Sequence, residues 1–274
     1  MRKILRISIA DLTFDLDTYD EQTHLFLEDY FGAFRTDASP DISILINSST
    51  PPEDISPPDP VIPEVIHQPD GTTSIINSNM NPQILGTIHE DESKAVLNDV
   101  ACTFMYRLCA AIRVVVQYFI ENNNGFFLHS ACGTNSNRTV AFTGKSTAGK
   151  TTALNNLHPE AVISEDATAV RFINNTWMVF STPFRGEEPA QAPLYTICFP
   201  KKWKGIPFLK LNTPAAVIAE LSTNAMFSAP SCEDQMNRVL ETMLNFGNRI
   251  PGFECYCYKT TNLQTVFADH GLLN

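Results

Sequence analysis

Apolar and polar residues alternate from the start of the chain. Leu5, Ile7 and Ile9 interleave with Arg6, Ser8 and Ala10, the period of a half-buried strand. A helical stretch carrying Leu25, Phe26, Leu27, Tyr30 and Phe31 follows, and then a second strand in which Ile42, Ile44 and Ile46 alternate with Ser43 and Leu45. The three predict a small β-α-β element. Prolines at 51, 52, 57, 58, 60, 63 and 69 predict a stiff, extended surface segment over residues 51–69. Pro57, Pro60 and Pro63 have the spacing of a polyproline ligand, but no basic residue flanks them. Asp70-Gly71 predicts a tight turn between two short strands. From Glu92 to Asn122, Leu97, Ala101, Phe104, Leu108, Ile112, Val115 and Phe119 recur every three or four positions, which predicts one long, mostly buried helix. Asn122-Asn123-Asn124-Gly125 ends it.

The texture changes near residue 90, and the core continues beyond this helix. Phe126 to Ala131 and Thr139 to Thr143 read as strands, with a helix from about Lys150 and a third strand at Ala161 to Ser164. Asn174-Asn175 separates Ala169–Ile173 from Trp177–Ser181 as a hairpin turn would. Leu194 to Phe199 is another strand. Thr213-Pro214 reads as a helix cap followed by proline at the first helical position. Asp234 to Phe246 is a helix stopped by Gly247, and Phe253 to Tyr258 is a late strand. The fold class is mixed α/β, with a small N-terminal α+β region at 1–90 and a core at 91–274. No internal repeat is visible.

Charge and composition narrow the function. Thirty acidic against nineteen basic residues give a net charge of −11, which argues against a general nucleic-acid binder and against docking on anionic membranes. The most apolar stretch, Val96 to Ile120, is interrupted by Asp99, Arg107 and Arg113, so no uncharged run approaches the ~20 residues of a membrane span. Arg6 and Asp11 break the N-terminal apolar run, which therefore does not read as a signal peptide. The seven cysteines include no CxxC pair. Reduced, buried thiols in a cytoplasmic protein are the expectation. Cys255 and Cys257 alternate with Tyr256 and Tyr258 and so share one strand face. The pattern reads as core packing, with a metal or redox role as the alternative.

Candidate chemistry concentrates in one loop. Gly144-Lys145-Ser146-Thr147-Ala148-Gly149-Lys150-Thr151 fits GxxxxGK[ST] at every fixed position. By composition alone such a match arises on the order of once in a hundred chains of this length. Here a strand leads in and a helix leads out, as the motif requires. Gly144 and Gly149 let the backbone curl so that amides face phosphate oxygens. The helix aims its positive end at the same anion. Lys150 reaches the β and γ phosphates, and the Thr151 hydroxyl suits a Mg²⁺ shell. The candidate nucleotide-binding set is Gly144, Lys145, Ser146, Thr147, Ala148, Gly149, Lys150, Thr151 and Thr152.

A magnesium–phosphate site also needs carboxylates. Glu165-Asp166 follows the strand Ala161-Val162-Ile163, at the carboxyl end where ligands bind in such sheets. One carboxylate would hold the metal and the other take a proton from an acceptor hydroxyl. The competing reading is a solvated acidic turn.

These residues carry a family resemblance. Phe127-Leu128-His129-Ser130-Ala131, the loop GKSTAGKTT and Ile163-Ser164-Glu165-Asp166 come in the order seen in the HPr kinase/phosphorylase family, which shares its P-loop fold with phosphoenolpyruvate carboxykinases. Ser181-Thr182-Pro183-Phe184-Arg185-Gly186-Glu187 is similar to a "TPF-x-GE" segment of HPr kinase-like relatives, and Ala192-Pro193-Leu194 also fits. The resemblance spans about residues 125 to 270. It implies a P-loop kinase core, ATP and Mg²⁺ as cofactors, and a possible homo-oligomer. By position it gives Lys150 and Thr151 the phosphate and magnesium roles. Glu165-Asp166 match the family's paired aspartates, and His129 matches a histidine near the active site. Glu165 stands where the family has aspartate, which leaves open which carboxylate is the base. Asp166 is expected to be the metal ligand together with Thr151, and Glu165 the base. The family's phosphorolysis signature loop is not found, and residues 1–90 do not match its sensory domain.

Two further features keep two readings each. Arg185, in a Pro/Gly-bounded loop, would clamp phosphate or stabilise transition-state charge, or else form a surface ion pair. Lys201-Lys202-Trp203-Lys204 would hold an anionic substrate or an adenine ring, or else form a solvated turn. The leading functional expectation is an ATP-dependent kinase acting on a hydroxyl of a peptide, protein or small metabolite. The alternative is a nucleotide-binding switch or NTPase that regulates a partner.

Overall fold

The computed structural model describes residues 1–48, 63–68, 70–77, 83–135, 137–227 and 233–273, apart from the side chain of Arg185. Most of the proline-rich segment, with Pro57 and Pro60, lies outside them. The chain divides into two compact units, 1–122 with 227–237, and 123–226 with 238–274. Two mixed sheets and seven helices among the described residues make the fold mixed α/β.

The first unit contains β1 (Lys3–Ile9), β2 (Leu12–Thr18), α1 (Glu21–Phe31), β3 (Ile42–Ile46), β4 (Pro63–His67), β5 (Thr73–Asn77), β6 (Gln83–His89), β7 (Lys94–Leu97), α2 (Asp99–Cys102) and α3 (Met105–Asn122). Its sheet runs β1-β2-β3-β7-β6-β5-β4. The expected β-α-β element is present, with one strand more. β1 and β2 form a hairpin through Ala10 and Asp11, both left-handed at φ 53° and 60°. A turn with two positive φ values normally announces itself by Asn-Gly or Asp-Gly; Ala-Asp gives no such signal. β2 then runs parallel to β3 across α1.

The single helix expected over 92–122 is a strand followed by two helices. Lys94–Leu97 alternate between half-buried and buried positions and pair with β3 and β6. Asn98 starts the helical part, its side chain accepting hydrogen bonds from the backbone N–H of Val100 and Ala101. Four strand residues are too few for their period of two to stand out beside a long helical pattern.

The second unit holds β8 (Gly125–Asn135), β9 (Arg138–Thr143), α4 (Lys150–Leu157), β10 (Ala161–Ser164), β11 (Ala167–Ile173), β12 (Thr176–Phe180), β13 (Gln191–Lys202), β14 (Phe208–Leu211), α5 (Pro214–Asn224), β15 (Ala225–Met226), α6 (Glu233–Arg249), β16 (Gly252–Cys257) and α7 (Leu263–Asp269). α6 begins in the stretch assigned to the first unit. The hairpin at Asn174-Asn175 forms as expected, both residues having positive φ. Thr213 caps α5. Gly247 does not stop its helix, which continues to Arg249. A Cβ at 247 would lie 2.6 Å from Ile218 Cγ1, so this glycine serves close packing of α6 on α5.

β8 organises this unit. Residues 125–129 pair with β11 and residues 130–135 with β9, while β10 lies along 132–134. β9 and β10 are both antiparallel to β8, so they run in the same direction. β9 ends with Thr143 opposite Ser130, and β10 ends with Ser164 opposite Cys132. Whatever follows these two strands therefore emerges at one edge of the sheet. Beneath that edge, Val140 and Phe142 of β9, Ala153, Leu154 and Leu157 of α4, Cys198, Cys255 and Phe267 form one buried cluster. Among the described residues no helix is long and apolar enough to cross a membrane.

Candidate active site

The segment after β9 is a loop held by its backbone. Gly144, Thr147 and Gly149 take φ values of 154°, 67° and 97°, and the N–H of Ala148 donates to the carbonyl of Lys145 at 3.0 Å. A Cβ on Gly144 would sit 3.1 Å from that of Ala148, whereas at Gly149 the space is open. Gly149 is thus required for its conformation, at a helix start where L side chains are strained. It is followed at once by α4, whose first residues are Lys150 and Thr151. Lys145, Ser146, Thr147, Thr151 and Thr152 are exposed, while Gly144, Ala148 and Gly149 are half-buried.

Lys150 is buried, and its ammonium donates to the carbonyl of Gly144 at 3.0 Å and that of Lys145 at 3.4 Å. The lysine thus spans the mouth of its own loop. Burial lowers its pKa from the ordinary value, because the charged form is desolvated; the field of the Asp166 carboxylate opposes this.

The acidic turn after β10 is held by side chains from elsewhere. Asp166 Oδ1 lies 2.8 Å from His129 Nδ1, and the Asp166 carbonyl accepts from the Ser130 N–H at 3.0 Å. His129 is the last residue of the β8 stretch that pairs with β11, one place before Ser130. Its own carbonyl accepts from the Thr143 hydroxyl at 3.0 Å, next to the phosphate-loop motif. Glu165 is exposed. Its N–H donates to Glu187 Oε1 at 2.7 Å, and the Ser164 hydroxyl donates to the same oxygen at 3.0 Å. Glu187 Oε2 accepts from the Thr182 N–H at 3.3 Å. One carboxylate thereby ties the segment around Pro183 to the acidic turn, 22 residues away.

Thr151, Glu165, Asp166, Gly186 and Glu187 line a common cleft of about 760 Å³. A separate cavity of about 380 Å³ adjoins the other side of the loop, lined by Thr147, Gly149, Thr152, Lys201, Cys257 and Tyr258 among others. A third, of about 630 Å³, lies against Gly144 and Lys145 and carries the carboxylates of Glu220 and Glu254. Oxygen donors of Thr151 and the two acidic residues on one cleft suit a hard divalent cation such as Mg²⁺.

The sequence-predicted residues therefore fall in two groups. Lys150, Thr151, Glu165, Asp166 and His129 meet around one strand edge. Arg185 belongs to a short helical turn, Pro183–Arg185, beside the cleft-lining Gly186, and its side chain lies outside the described residues. Lys201 pairs with Glu220 at 2.9 Å, and the Trp203 indole donates to the Ile206 carbonyl at 3.0 Å. Lys201 and Lys202 line the 380 Å³ cavity. Glu187 escaped sequence reasoning as a site residue. Its signal was its place as the final residue of the TPF-x-GE segment, two residues after Arg185.

No protein-family model matches the chain, and no curated protein matches it. Among solved structures the chain is similar to the Hpr(Ser) kinase/phosphatase from Coxiella burnetii, with 12% identity over 53% of this chain and 90% of that one and a TM-score of 0.31. A likeness of that degree leaves the functional reading to rest on the site itself.

Proposed function

We propose that the chain is an ATP-dependent kinase with a P-loop core, passing the γ-phosphoryl group to a hydroxyl of a peptide, protein or small metabolite. The observation that carries this reading is the exit of a complete phosphate loop and an acidic pair from parallel-running strands at one sheet edge, with Thr151 and both carboxylates on one cleft.

The roles follow from placement. Lys150 would release its two loop carbonyls to hold β- and γ-phosphate oxygens, helped by loop amides and the start of α4. Thr151 and Asp166 would hold Mg²⁺, which when bound would offset charge on the transferring group. His129, against Asp166, fixes that carboxylate's orientation. Glu165, exposed at the cleft, would take the proton of the acceptor hydroxyl. The freed oxygen lone pair then attacks the γ-phosphorus, the bond from that phosphorus to the β–γ bridging oxygen breaks, and ADP leaves. Arg185 remains a candidate for stabilising the charge of that transfer.

The test is ATP titration with and without Mg²⁺, followed by mass spectrometry of a panel of serine-, threonine- and hydroxyl-bearing peptides incubated with ATP and the protein. A gain of one phosphate, lost in Lys150→Ala, supports the kinase. ATP binding and hydrolysis with no phosphorylated peptide or metabolite in a broad panel would favour a switch or NTPase. Absence of ATP binding would end both.

A further inference from the structure

β10 is the end strand of its sheet. Among the described residues it pairs with β8 alone, so the backbone groups on its other side meet no strand. Ala161 and Val162 are exposed, Val162 at 46%. The strand contains neither lysine nor proline, the residues that usually close an exposed edge to further pairing. β10 also lines the 760 Å³ cleft through Val162, Ile163 and Ser164, directly before Glu165 and Asp166. An open strand edge that leads into a cleft is a template on which a peptide can add a strand.

The charge of the cleft selects the peptide. Glu165, Asp166, Glu187 and Glu188 line it, and no described lysine or arginine side chain does. Glu187 is held by two backbone N–H groups and the Ser164 hydroxyl, all neutral, so its charge is not cancelled. Asp166 faces His129. Glu165 and Glu188 are exposed and form no ion pair among the described residues. The 630 Å³ cavity differs, because there Lys201 bridges Glu220 and Glu254 and the charges are met within the fold. A cleft lined by one sign of charge draws the opposite sign from solution. ATP with Mg²⁺ on the loop would make the cleft more negative still.

We propose that the phosphate acceptor is an extended peptide segment bearing lysine or arginine close to its serine or threonine, which adds a strand to the free edge of β10 and brings its hydroxyl to Glu165. The transfer rests on the kinase reading; the docking of the peptide does not. Main-chain hydrogen bonds to β10 would set the peptide's register. Side chains two apart on a strand point the same way, so a basic residue two places from the hydroxyl enters the cleft with it. Its charge would meet Glu187 or Glu188. Glu165 takes the hydroxyl proton, the oxygen bonds to the γ-phosphorus, the bond to the β–γ bridging oxygen breaks, and ADP leaves. A small alcohol would leave the edge of β10 unused, and an acidic peptide would be repelled by the carboxylates.

The test uses the full chain and short synthetic peptides of β-forming sequence with one central serine, flanked by arginine, glutamine or glutamate. Phosphorylation by ATP with Mg²⁺ is followed by mass spectrometry. Binding is followed without ATP, by fluorescence anisotropy of labelled peptides whose serine is replaced by alanine. The arginine peptide is expected to bind at least tenfold tighter than the glutamine peptide and to have at least tenfold higher kcat/KM, with the glutamate peptide weaker still. Glu188→Gln, at a residue with no part in the ATP or Mg²⁺ site, should raise KM for the arginine peptide at least threefold and leave ATP affinity unchanged. N-methylation of every second peptide N–H should abolish binding in one phase and spare it in the other, because a strand added to one edge uses alternate N–H groups only.

Equal binding of the three peptides, or N-methylation that acts alike in both phases, overturns the proposal. Phosphorylation of small alcohols or acidic peptides as fast as the arginine peptide overturns it too, and leaves the kinase reading standing. ATP turnover with docking but no transfer makes the peptide a ligand and not the acceptor, which also overturns it. If ATP does not bind at all, the kinase reading and the acceptor role fail together, while docking that depends on Glu188 and on one methylation phase still supports the β10 edge as a peptide site.

Discussion

The ends of β9 and β10 make an instructive pair. Both strands stop at the same edge of one sheet, flanking β8, and each leads into a turn that carries chemistry. After β9, shape comes from the backbone: two glycines and Thr147 at positive φ, an internal N–H to carbonyl bond, and a helix starting at once. After β10, shape comes from imported side chains, with His129 on Asp166 and Glu187 beneath Ser164 and Glu165. A loop that encodes its own conformation can be recognised as a motif. In a turn held from 22 and 37 residues away the carboxylates can be picked out, but not the side chains that hold them. The first should fail when its own residues change, and the second also when remote residues change.

The largest effect is expected on the backbone-held side. Lys150→Ala removes the charge that faces phosphate in both ground and transition states. ATP affinity should fall on the order of a hundredfold, about 2.7 kcal/mol, and transfer should be undetectable. Calorimetry and single-turnover assays measure the two. The same lysine predicts a pH signature. Burial lowers its pKa below 10.5, so the folded protein binds fewer protons than the unfolded chain between the lowered value and 10.5, and stability rises with pH across that window. A bound polyphosphate raises the pKa again. ATP binding should therefore take up protons on the alkaline side, and affinity should fall as pH rises through the lowered value. Titrations in buffers of different ionisation heat would show it, and Lys150→Ala should abolish it.

Next come the carboxylates. Asp166→Asn and Glu165→Gln should each cut transfer at least a hundredfold, the order a positioned base contributes. Both should bind Mg²⁺-free ATP as well as the parent, or slightly better, because one negative charge near the phosphates is gone. Loss of Mg²⁺-dependent tightening in Asp166→Asn but not in Glu165→Gln would assign the metal ligand and the base. Wild-type rates in both would reduce the acidic pair to a turn.

Glu187→Ala tests the contrast most directly. It leaves the N–H groups of Glu165 and Thr182 without their acceptor, at a cost of roughly 1–3 kcal/mol in stability. We expect kcat to drop about tenfold with ATP affinity unchanged, since the backbone-held loop is untouched, and Glu187→Gln to recover part of the loss by keeping an acceptor oxygen. If ATP affinity fell in parallel with kcat, the two turns would not be independently held.

The smallest effect belongs to the proline-rich segment. The residues proposed to hold phosphate and Mg²⁺ lie between 144 and 166, so deleting 51–62 should change ATP affinity less than tenfold, or 1.4 kcal/mol. A larger loss in a variant that still folds would mean that a distant part of the chain contributes to the site.

The sequence by itself determined the phosphate loop, the strand and helix around it, and most strands of the second unit. In each case the information is local: glycine at positive φ, a period of two or of 3.6, or an Asn-Asn hairpin turn. It misjudged the stretch from 92 to 122, where a four-residue strand hides within a helical pattern, and Gly247, whose role depends on Ile218 of another helix. Only tertiary structure decided that β9 and β10 flank β8 and end together, since strand order is set by pairing between segments far apart in the chain. Only tertiary structure brought Glu187 beneath the acidic turn and Cys257 to the loop's far wall, because a hydrogen bond or a cavity across such separations leaves no periodic trace in the sequence.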